Sequence, residues 1–85
     1  MRTYIKKSIF SNGNILYYQG SIKDILNGKP HIMQYYDDEE CKPYFMVYDD
    51  KNLKSYDFWK LESAKNKLVS LLKKYKQGEK KWNIN

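Results

Sequence analysis

The sequence predicts an α+β fold: an antiparallel sheet of four or five strands, a short helix after the first hairpin, and a long C-terminal amphipathic helix packed on one face. Three observations predict it. Short runs of aromatic and β-branched residues alternate with turn residues over the first two thirds of the chain. The links between paired runs are of hairpin length, which makes the sheet antiparallel. The last third carries a single apolar stripe at helical spacing.

Residues 2–10 and 14–20 read as the first two strands. Asn12-Gly13 lies between them, a strong hairpin signal because both residues tolerate positive φ. Ser21 can cap the short helix, with Asp24 at the reciprocal capping position. Ile22, Ile25 and Leu26 form its apolar side. Gly28 suits a left-handed C-terminal cap, and Pro30 forbids continuation. Residues 31–36 and 43–49 read as a second hairpin, whose acidic link, Asp37 to Lys42, reads as too long for a tight turn. Asp49-Asp50-Lys51-Asn52 is a further turn before a short fifth strand over 53–57.

In the last element Leu61, Ala64, Leu68, Leu71, Leu72 and Tyr75 fall within an arc about 100° wide. This predicts a helix over 58–76, with Gly78 as its stop. The expected organisation is a single α+β domain over 1–78 and a polar C-terminal tail over 79–85.

Composition excludes several classes. Four Gly, two Pro and one Cys rule out collagen-like, low-complexity and disulfide-rich chains. Nine Tyr, three Phe and two Trp weigh against disorder. No run approaches the ~18 apolar residues of a membrane helix. No apolar stretch follows the charged N-terminus, so it does not read as a secretory signal. A lone Cys41 cannot form an internal disulfide. The expectation is a soluble cytoplasmic protein with no membrane association.

Charge is unevenly laid out within a net +6. Residues 1–36 carry five basic and one acidic side chain, residues 37–50 one and six, residues 51–85 ten and three. One acidic patch therefore sits between two basic stretches. On the long helix Lys60, Lys67 and Lys74 repeat every seven residues, about 10.5 Å apart. They read as a basic rail for phosphates or an acidic protein surface. The competing reading is lysines that snorkel over the edge of the core, and lysines on both flanks favour it.

A sheet covered on one face alternates apolar and polar positions, yet here both sets are apolar or aromatic. With Phe45 and Val47 facing the core, Tyr44, Met46 and Tyr48 fall on the opposite face. His31, Met33 and Tyr35 can join them from the neighbouring strand. Tyr35, Tyr44, Met46 and Tyr48 are thus candidate partner-binding residues, because Tyr supplies area and a hydroxyl at little entropic cost. Asp37, Asp38, Glu39 and Glu40 form an acidic knob at the hairpin tip, suited to Arg or Lys side chains and locally mimicking phosphates. The alternatives are cross-strand Tyr pairs that only stabilise the sheet, and a solubilising tip.

Catalysis is not expected. One His and one Cys leave little for nucleophilic or zinc chemistry. Neither acidic turn has the spacing or the glycine of a calcium loop. The four glycines, at 13, 20, 28 and 78, form no phosphate loop. No cofactor and no metal are expected.

The layout of short aromatic strands followed by one terminal amphipathic helix, here Phe58-Trp59-Lys60-Leu61-Glu62-Ser63-Ala64-Lys65 through Tyr75, resembles small accessory proteins of bacteriophages and mobile elements, anti-CRISPR proteins among them. The Lys, Asn, Ile and Tyr bias fits an A·T-rich bacterial or phage genome. The resemblance implies a non-enzymatic inhibitor of a host nucleic-acid-handling complex, acting in the host cytoplasm, and assigns no residue a role. Two rival readings are direct nucleic-acid binding through lysines and tyrosines and a homodimeric structural domain.

Overall fold

The computed structural model describes the backbone of residues 4–83 and the side chains of residues 4–75. Five strands, β1 (Lys6–Ile9), β2 (Ile15–Tyr18), β3 (His31–Asp37), β4 (Lys42–Asp49) and β5 (Lys54–Phe58), form one antiparallel sheet in chain order. The helices are α1 (Ile22–Leu26), between β2 and β3, and α2 (Leu61–Asn83), which packs on one face against β3, β4 and β5. The predicted α+β architecture is the observed one, with five strands.

Turn chemistry explains the meander. The first loop uses positive φ at Gly13 only. The Gly13 amide donates to Phe10 C=O at 3.0 Å, and the Phe10 amide to Asn14 C=O at 2.9 Å. This is a three-residue loop ending in a left-handed glycine rather than the two-residue turn that Asn-Gly suggests. At the turn the paired strands accordingly stop at Ile9 and start again at Ile15, inside the predicted 2–10 and 14–20, and residues 2 and 3 lie outside the described residues.

At α1 the expected capping box is present. The Asp24 amide donates to Ser21 Oγ at 3.2 Å, and the Ser21 amide to Asp24 Oδ2 at 3.1 Å. At the other end the Lys29 amide donates to Asp24 C=O and the Gly28 amide to Ile25 C=O, with Gly28 at φ +98°. That pair of bonds is the Schellman closure.

The remaining two hairpins share one design. Asp37 faces Lys42 and Asp49 faces Lys54 across the sheet, each pair closing a four-residue loop. The acidic link is therefore tighter than its sequence suggests. Asp37 Oδ1 accepts the amides of Glu39 and Glu40, at 2.9 and 3.2 Å, and folds the loop back. The last loop residue is left-handed in both cases, Cys41 at φ 54° and Leu53 at φ 55°. The second loop holds a short 3₁₀ turn, Asp50–Asn52, and begins β5 one residue later than predicted.

The helix differs from its predicted bounds of 58–76. Phe58 pairs with Phe45 as the last residue of β5, so α2 starts at Leu61. It continues through Gly78 to Asn83, because one interior glycine costs only about 1 kcal/mol, against ~3 for proline. Positions 79–83 of the expected tail are thus helical, and 84–85 lie outside the described residues.

One apolar cluster joins sheet to helix. Tyr17, Ile32, Val47 and Tyr56 lie in register across β2 to β5. They and Phe45 meet Ala64, Leu68, Leu71 and Leu72, the stripe read from the sequence. Among the described residues no helix is long and apolar enough to cross a membrane.

Leu53 is 94% exposed and left-handed, so its side chain gains little while its backbone is strained by about 1–2 kcal/mol. Leu53→Gly is expected to stabilise the domain by about 1 kcal/mol, raising the thermal midpoint by roughly 4–8 °C. Calorimetry checks this; an unchanged or lower midpoint refutes the strain.

Candidate functional site, an aromatic and acidic groove

The face that α2 leaves uncovered carries an aromatic chain. Register places His31 opposite Tyr48, Met33 opposite Met46 and Tyr35 opposite Tyr44. The His31 and Tyr48 rings stack at 5.3 Å, and the Tyr35 and Tyr44 rings lie 5.4 Å apart. The Tyr35 and Tyr48 hydroxyls hydrogen-bond to each other at 2.9 Å, joining the two pairs past the intervening methionines. Tyr44 then meets Trp59 edge-to-face at 6.2 Å. The residues predicted from β3 and β4 do share this face, but His31 is buried, the others are half-buried, and the rings are engaged with one another.

At the Trp59 end the face opens into a groove of about 650 Å³ lined by Tyr36, Asp37, Asp38, Glu39, Tyr44, Asp57, Phe58 and Trp59. Here the structure unites two predicted features, Tyr44 and the knob residues Asp37, Asp38 and Glu39. Glu40, Tyr35, Met46 and Tyr48 stand outside the lining. Asp57 and Trp59 were not singled out by sequence reasoning, because β5 was the least legible strand. The available signal was register: Phe45 opposite Phe58 puts Trp59 beside Tyr44.

Asp37 is committed to its own loop. Asp38, Glu39 and Asp57 carry neither an ion pair nor a side-chain hydrogen bond among the described residues. Trp59 is 51% exposed, and its ring holds the Lys42 ammonium 4.3 Å from its centroid.

Of the predicted lysine flank, Lys67 and Lys74 lie along α2, whereas Lys60 stands in the link just before it, because the strand β5 runs on to Phe58 and delays the helix start. Lys67 rests over the Tyr56 ring at 4.1 Å, and Lys65 over Tyr17 at 5.9 Å on the opposite flank. These stems cover the core edge, as the snorkelling reading expects. Lys60 and Lys74 are exposed.

His31 begins β3 and Cys41 lies in the loop beyond its far end, roughly 20 Å away along the strand, so they cannot act as a pair. His31 Nδ1 instead lies 3.0 Å from Lys29 C=O. Among the described residues no group of three or more His, Cys, Asp or Glu could hold a metal ion. Comparison with protein-family models, with curated proteins and with solved structures found no match.

Burial, then the Tyr35 hydrogen bond, push the Tyr48 phenol well above its usual range. Burial alone raises that of Tyr17, whose hydroxyl donates to Gln34 Oε1 at 2.8 Å. The unfolded chain releases these protons near pH 10, while the folded domain retains them. Stability is therefore intact below pH 10 and falls as pH rises above it, by at most about 1.4 kcal/mol per pH unit and phenol. Tyr48→Phe is expected to shallow this alkaline loss. Urea midpoints at about pH 9 and about pH 11 measure it, and an unchanged difference between the two refutes the role of Tyr48.

Proposed function

We propose that this chain is a non-enzymatic interaction domain that docks on a basic surface of a protein or ribonucleoprotein partner. The observation that carries this reading is the groove, where the Tyr44–Trp59 pair stands beside three carboxylates that have no partner among the described residues. Aromatic side chains supply contact area with few rotors to freeze. Carboxylates at the rim choose partners by sign and steer their approach.

In a nucleic-acid-handling complex the basic surface is the one that holds phosphates. A domain seated there acts as an inhibitor by covering it, the role implied by the resemblance to anti-CRISPR proteins. The remaining charge of this chain is basic, which favours partners of mixed charge over uniformly cationic ones. Lys65 and Lys67 packed on tyrosines weigh against a rail devoted to nucleic acid.

Tagged protein recovered from bacterial lysate, with and without nuclease, tests the reading. A protein partner is expected to survive nuclease treatment. Trp59→Ala and Asp57→Asn should each weaken its binding by ten-fold or more, while the circular dichroism spectrum is unchanged. Recovery of nucleic acid that is lost on combined Lys60→Gln and Lys74→Gln, with no effect of Trp59 or Asp57, would establish the rival reading instead.

A further inference from the structure

We propose that the groove is a receptor for an arginine side chain of the partner; this rests on the docking role just assigned to the same groove. The first argument comes from Trp59 rather than from the carboxylates. Its ring already holds one cation, the Lys42 ammonium at 4.3 Å. The chain's own lysine thus marks the ring as a cation site, since the face of an indole attracts positive charge. Lys42 is exposed, so it leaves that position at little cost in buried surface.

The second argument is shape. Tyr44 and Trp59 meet edge-to-face at 67° and together line a groove whose volume of about 650 Å³ is that of a small-ligand pocket. A guanidinium is planar and weakly hydrated, stacks on aromatic faces, and engages a carboxylate through two parallel N–H bonds. An ammonium is compact and strongly hydrated, and Lys42 already supplies one. Asp57 and Trp59 lie two residues apart beside Tyr44, so a single group can meet both carboxylate and ring. The incoming arginine displaces Lys42 from Trp59 and pairs with Asp57. Lys42 then has Asp37, its cross-strand partner, as its nearest neighbour in the register.

The test uses the full chain and three short capped peptides, identical except for a central Arg, Lys or citrulline. Citrulline keeps the shape of arginine and lacks its charge. The readout is the indole N–H resonance of Trp59, assigned by its loss in Trp59→Phe. The Arg peptide is expected to shift this resonance to saturation. The Lys peptide should bind at least five-fold more weakly, and citrulline should leave the resonance unmoved. Lys42→Met keeps the stem and removes the competing charge, and should tighten Arg-peptide binding about three-fold. Equal affinities for Arg and Lys overturn the proposal, as does a shift produced by citrulline. An unmoved Trp59 also overturns it, even where the lysate partner still requires Trp59 and Asp57; the docking role then stands without the arginine. Loss of both responses removes both.

Discussion

Ile32 and Val47 face each other across the central strand β3 and its neighbour β4, and with Leu68 of α2 they are fully shielded from water. The rest of the molecule hangs on this seam. Side chains alternate along a strand, so fixing Ile32 and Val47 inward fixes His31, Met33 and Tyr35, with Tyr44, Met46 and Tyr48, on the far face. A slip of one residue would bury the tyrosines beneath α2 and expose the core. The chain of rings on the far face is thus a by-product of a core decision made on the other side.

That far face is part structure and part surface. At the His31 end its groups are spent on each other, through ring stacking and the bond between the Tyr35 and Tyr48 hydroxyls. At the Trp59 end they face solvent and share space with carboxylates. Packing and exposure are therefore divided along one aromatic row, and Tyr44 belongs to both ends.

Much of the fold was legible because its signals were local. Ser21 with Asp24 wrote the capping box, Gly28 and Pro30 the stop, and the Leu68 to Leu72 stripe the helix face. The misread elements were those that tertiary pairing decides. Phe58 reads as helix by its neighbours, yet pairs with Phe45 in the sheet. The acidic link reads as long, yet one carboxylate of Asp37 folds it tight. The groove was only half legible: Tyr44 and the acidic knob were visible from alternation and charge, whereas Asp57 and Trp59 depend on the register of β5. Cys41 and Leu53 carried no warning, since neither is a residue that favours positive φ.

The join between β5 and α2 is two residues long, Trp59 and Lys60. The groove's principal ring is therefore also the hinge on which the core helix hangs. Whatever grips Trp59 grips the attachment of Leu68, Leu71 and Leu72 to the sheet. A ligand held there would be coupled by mass action to the helix staying docked. A partner would act as a fastener as well as a neighbour, and a loosened helix would in turn blunt recognition.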